Sequence, residues 1–243
     1  MGNNTRVTFF SPECPQAIET MVGSNWEFQN QNPEQRSQDY INELGRDGDE
    51  ILSRLVNGKT ATGWQFVFKA DTGTLVTASI KVGAVVGGYH IDSVEISGAN
   101  TQIHPKMTII GHAHDGVQNG HNTCRTYKPT VSISGCAFGV PSNLGAVSLK
   151  QTAEVDFRSF TYRLSVTHID EQARDGGELK GDNHDGVETM SVEFTGDATS
   201  SDYEITNGWS VPTSQKTPSN TGVTTSSLEL VKHISHETVS AQS

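Results

Sequence analysis

Thr161-Tyr162-Arg163-Leu164-Ser165-Val166 alternates polar and apolar side chains without a break, so Tyr162, Leu164 and Val166 share one face and Thr161, Arg163 and Ser165 the other. A period of two marks a half-buried β-strand, because successive side chains leave a strand on opposite sides. The same period recurs in both directions along the chain. Ala153, Val155 and Phe157 alternate with Thr152, Glu154 and Asp156, and Met190, Val192 and Phe194 with Thr189, Ser191 and Glu193. Upstream, Trp64, Phe66, Phe68 and Ala70 share one face, and Val76, Ala78, Ile80 and Val82 share another. Residues 89–96, 106–112, 131–134 and 225–233 add further segments of this kind. The pattern predicts a mainly β protein, a sandwich or barrel of about eight or nine strands with Gly, Asn, Asp and Pro between them.

Composition agrees. Thr, Ser, Asn and Gly supply 88 of the 243 residues and only 33% of the chain is apolar, a balance suited to strands and turns and not to a helix bundle. Helical signals are confined to residues 1–57, which read as an N-terminal arm ahead of an all-β domain over 58–243. Asn32-Pro33-Glu34 has the order of a helix cap, a first-turn proline and an early acid, with Tyr40, Ile41 and Leu44 following before Gly45. A second short helix is expected from Asp47 or Asp49, with Ile51, Leu52 and Leu55 on one side. Gly111–Lys128, Asp170–Gly186 and Thr195–Thr225 read as long loops, the last broken by Pro212 and Pro218.

Charge excludes some functions. There are 17 Lys and Arg against 28 Asp and Glu, a net charge of −11, and the acids concentrate in residues 146–243. Affinity for nucleic acid rests on clustered Lys and Arg, so a DNA or RNA reader is disfavoured. An acidic surface suits a protein that must stay near DNA without adhering to it. No run reaches the roughly 18 apolar residues of a membrane helix, and Met1–Arg6 lacks the plan of a signal peptide, so no membrane-spanning segment is expected and the chain reads as soluble and unexported. Cys14, Cys124 and Cys136, odd in number and irregularly spaced, suit a reducing cytoplasm better than a disulfide framework.

The sharpest local motif is Gly111-His112-Ala113-His114-Asp115, followed by His121 and Cys124. On a strand His112 and His114 point the same way, and His121 or Cys124 returning from the following loop would complete a nitrogen and sulfur set of the kind zinc takes. That is the basis of a rival reading, a metal-dependent hydrolase or metal-binding β-module. Gly111–His114 and Gly181-Asp182-Asn183-His184-Asp185 resemble two motifs of calcineurin-like metallophosphoesterases, but they occur in reversed order and the opening Asp-x-His of that family is missing. No Gly-x-Ser-x-Gly and no phosphate loop is present. The chain reads as a non-enzyme that requires no cofactor.

Tyr162-Arg163-Leu164-Ser165-Val166-Thr167-His168-Ile169-Asp170-Glu171, the turn Gly181–Gly186, the strand Glu188–Gly196 and a final strand Thr224–His233 together resemble the tail-tube subunits of tailed bacteriophages. The resemblance spans about residues 58–235. It implies a structural virion protein, assembled in the host cytoplasm, whose sheets join into homo-oligomeric rings that stack into a tube and meet other tail or baseplate proteins. DNA would pass through that tube without specific binding, and Glu154, Asp156 and Glu193, polar-face strand residues, would then face the lumen.

Overall fold

The computed structural model describes residues 13–44, 46–47, 50–69, 73–77, 79–102, 104–114, 124–137, 140–149, 156–172, 178–196, 203–206, 208–218 and 224–237. Among them, one helix, α1 (Gln16–Val22), precedes the strands β1 (Trp26–Gln31), β2 (Gln35–Leu44), β3 (Glu50–Phe68), β4 (Val85–Val86), β5 (Tyr89–Ala99), β6 (Lys106–His114) and β7 (Ser134–Ala137). There follow β8 (Val140–Asn143), β9 (Val147–Leu149), β10 (Asp156–Gln172), β11 (Glu178–Thr195), β12 (Tyr203–Ile205), β13 (Ser210–Thr217) and β14 (Thr225–His233). The protein is mainly β. Ten strands form one antiparallel sheet in the order β1-β3-β6-β5-β10-β11-β14-β13, with β2 added beside β3 and β4 beside β5. The sheet is open and not a closed barrel. Two small two-stranded sheets, the hairpin β7-β8 and the long-range pair β9-β12, complete the strands.

Register shows why the alternating segments form this sheet. Phe66, Met107, Ile96, Tyr162, Met190 and Leu230 lie directly opposite one another across six strands, and all are buried. One residue along, Gln65, Thr108, Glu95, Arg163, Thr189 and Val231 form the parallel row on the polar face. A one-residue slip would exchange these rows, so burial of the first fixes the pairing. The helix adds Ile18, Met21 and Val22 to the same core, and Trp26 meets Phe68 edge to face at 5.0 Å between ring centroids.

The structure corrects the N-terminal reading. Of the residues expected to be helical, Gln35–Leu44 form β2 and residues 50–55 belong to β3, pairing from Gln35 opposite Ala61 to Leu44 opposite Glu50, while residues 32–34 and Asp47 lie outside both strands. Three apolar positions at 40, 41 and 44 are too few to separate the two periods, and a long ladder satisfies the backbone where a short helix in water would not. The one helix lies earlier, and β3 runs unbroken through residues 57 and 58.

Two expected loops also contain ladder. β10 continues to Gln172 and β11 begins at Glu178, so most of Asp170–Gly186 is strand. β13 passes through Pro212, which an edge strand tolerates at an irregularity, and the pairing with β14 shifts between Ser210 and Thr213. Conversely, Val76, Ile80 and Val82 are buried as read, but they lie in turns and an isolated bridge and not in a strand. Residues 131–133 likewise precede β7 without forming a strand.

Two hairpins outrun the sheet. Gly63, Ile110, Ser93, Ser165, Val187 and His233 form one row across it. Beyond that row, residues 50–58 of β3 pair only with β2 among the described residues. Thr167–Gln172 of β10 likewise pair only with Glu178–His184 of β11. Both two-stranded ribbons leave the sheet at the same end.

Candidate functional site

At the root of the second ribbon three histidines meet. His90 on β5 lies directly opposite His112 on β6, and His168 on β10 packs against both. Ring centroids are 4.0 Å apart for His90 and His168, 4.8 Å for His90 and His112, and 5.2 Å for His112 and His168. By strand parity His112 falls in the file of Lys106, Thr108 and Ile110, the solvent side of β6, yet it is fully buried. The ring cluster itself lies over that position.

A bulge supplies the acid. Pairing of β5 with β6 jumps from Ile91 opposite Gly111 to Ser93 opposite Ile110, which leaves Asp92 as the extra residue. A bulge redirects a side chain. Here it brings both Asp92 carboxylate oxygens to 2.8 Å from His112 Nδ1, and Oδ1 to 3.2 Å from His90 Nδ1. Burial alone would raise the Asp92 carboxyl, but the hydrogen bonds from His112 and His90 outweigh it and hold it well below the usual carboxylate range. Burial lowers the His90 imidazole and its bond to Asp92 restores part of that, while His168 and His112 lower it further.

Asn183 orients the third ring. Its Oδ1 lies 2.9 Å from His168 Nδ1, while its Nδ2 donates to the carbonyls of Gly83 at 2.9 Å and Arg125 at 2.7 Å. Asp182, its neighbour, accepts from the backbone N–H of Arg125 at 3.1 Å, and its Oδ2 stands 3.5 Å from Arg125 Nε. These contacts clamp the segment that follows Cys124, whose thiol is buried beside the rings. Gly83, at φ +89°, is required there because a Cβ would stand 2.5 Å from the Arg125 carbonyl oxygen.

Two groups of donors are close enough to share an ion: His90, Cys124 and His168, and His90, Asp92 and His112, with one ligand atom from each residue inside 4.8 Å of the others. Of the four residues singled out by spacing, the cluster contains His112 and Cys124. His114 continues β6 opposite Lys59, its side chain and all of His121 lying outside the described residues. His90, Asp92 and His168 were not anticipated. The signals available were a His-x-Asp pair within Tyr89–Ile96 and a lone histidine where the Tyr162–Val166 alternation ends.

A second polar centre is structural. Glu188, fully buried in the apolar row between Leu164 and Lys232, accepts hydrogen bonds from Tyr162 Oη at 2.8 Å, from the Thr130 backbone N–H at 2.6 Å and from the Thr130 hydroxyl. Burial, with the facing carboxylate, pushes the Tyr162 phenol far above its ordinary value.

Of the lumen candidates, Asp156 is exposed at the start of β10. Glu193 on β11 accepts from Ser159 Oγ at 3.0 Å and pairs with Arg158 at 3.3 Å. Glu154 lies outside the described residues. The polar face around them also carries Glu95, Glu229, Lys106 and Arg163, so acids and bases are interspersed. No helix among the described residues is long and apolar enough to cross a membrane. No known protein family matches the chain, and no curated protein does.

Proposed function

We propose that this chain is a structural virion protein that self-assembles into a ring or tube, as a phage tail-tube subunit does. The observation that carries the reading is the open sheet with two ribbons leaving one end. β13 terminates the sheet with all eight residues, Ser210–Thr217, exposed, and β1 and β2 lie along the opposite edge. A long exposed edge is a template for pairing with another chain, and a closed ring of like subunits removes it. The ribbons, extended beyond the subunit's own sheet, supply contacts to the next ring.

In that arrangement the polar face of the sheet lines the lumen, with Asp156, Glu193, Glu95 and Glu229 on it. Arg158 stands against Glu193 and reduces the repulsion it contributes. No catalytic role is assigned. His112, His90 and Cys124 are at most 3% exposed, while His168 and Asp92 at the same cluster are partly exposed.

Electron microscopy of the purified protein over a concentration series tests the reading. Rings or tubes of constant diameter are expected. Particles of monomer size at every concentration would remove it.

A further inference from the structure

The geometry points to a transition-metal site of the zinc class, formed by the buried His90 and Cys124 and the partly buried His168, that staples the root of the β10–β11 ribbon to the sheet. The inference stands apart from the assembly reading, since a staple of this kind serves the subunit whatever it builds.

The donor set selects the ion. Two imidazoles and a thiol suit zinc and its neighbours and not magnesium or calcium, which take oxygen. One ligand atom of each residue already lies within 4.8 Å of the others. Ligands around tetrahedral zinc stand roughly 3.3–3.8 Å apart given bond lengths near 2.0–2.3 Å, so closure requires a shift of no more than about 1.5 Å.

The supporting contacts select the nitrogen atoms. His90 Nδ1 faces the Asp92 carboxylate at 3.2 Å and His168 Nδ1 faces Asn183 Oδ1 at 2.9 Å. A neutral imidazole that donates through Nδ1 carries its lone pair on Nε2, the arrangement by which an outer carboxylate or amide oxygen orients a metal-binding histidine. The group His90, Asp92 and His112 is accounted for by these Nδ1 hydrogen bonds. Asp92 is thus a positioning residue, and His112 offers a further nitrogen donor from the same cluster.

The three ligands come from different parts of the chain: β5 in the sheet, β10 where it leaves the sheet, and the segment that Asp182 and Asn183 clamp through Arg125. One ion would join all three.

Cobalt titration of the full chain, stripped with a chelator and dialysed, is the test. One equivalent of Co²⁺ should bind, with a near-ultraviolet thiolate-to-cobalt band and visible bands of a low-coordinate site. The band should persist when Cys14 and Cys136 are both replaced by serine, because Cys124 alone then remains, and Zn²⁺ should displace the cobalt. Cys124→Ser should abolish the band, and His168→Gln should weaken binding about tenfold or more. The absence of saturable uptake in the wild type would overturn the inference. So would loss of the band in the Cys14→Ser/Cys136→Ser protein while Cys124 is intact, an outcome that does not depend on how the ligand variants fold.

Discussion

Asp92 reaches His112 across the β5–β6 ladder, with both carboxylate oxygens 2.8 Å from the imidazole Nδ1, from a backbone position that the bulge between Ile91 and Ser93 leaves unpaired. An ionised acceptor makes these the stronger class of hydrogen bond. Asp92→Asn removes the charge and one acceptor oxygen while keeping the size. It should cost about 1–3 kcal/mol in urea unfolding at neutral pH. A variant as stable as the wild type would show that the bulge, and not the carboxylate, organises the rings.

Asp182 gives a pH-dependent case. Partial burial would raise its carboxyl, but the backbone N–H groups of Arg125 and Asn183, then the Arg125 charge, bring it below its ordinary value of 3.8. A carboxyl depressed on folding stabilises the protein above its unfolded value, and that contribution is lost as pH falls through the folded one. Asp182→Asn should therefore be less stable than the wild type at pH 7, by about 1 kcal/mol for a partly exposed group. The two unfolding midpoints should converge below about pH 4. A constant difference across that range would remove the carboxylate from the account.

Tyr162 tests the buried carboxylate. Its hydroxyl donates to Glu188 Oε1 at 2.8 Å inside the apolar row. Tyr162→Phe preserves the ring and deletes one of the donors that offset the burial of Glu188. A loss of about 1–3 kcal/mol is expected in equilibrium unfolding. Tyr162→Phe combined with Glu188→Gln should recover part of it, because the uncompensated charge has gone. If the double variant is no better than the single one, the hydroxyl acts through packing alone.

How much of this was legible in the sequence follows from the physics of each element. Phe66, Tyr162, Met190 and their partners were readable because one buried face imposes a period of two on every strand. Tyr40, Ile41 and Leu44 misled because their spacing fits a helix over one turn, and only the distant pairing of β2 with β3 decides between the two. The cluster was half legible: His112 and Cys124 stood out by local spacing. His90 and His168 are brought in by long-range register, and Asp92 by a bulge, neither of which leaves a short-range mark. Pro212 misled for the opposite reason, since a proline rules out a central strand but not an edge.

The ribbons give the sharpest test of assembly. Residues 50–58 of β3 depend on β2 alone among the described residues, so the outer part of that hairpin contributes little to the subunit's own ten-stranded sheet. Replacing residues 38–57 by a short Gly-Ser turn should leave far-ultraviolet circular dichroism of β type and a cooperative unfolding transition. If the ribbon grips the next ring, the same variant should fail to form tubes at concentrations where the wild type forms them, while single rings closed through β13 persist. Tubes formed equally well by both proteins would show that stacking uses other surfaces. Rings lost along with tubes would place the ribbon in lateral contact, leaving β13 with no separate part in closure.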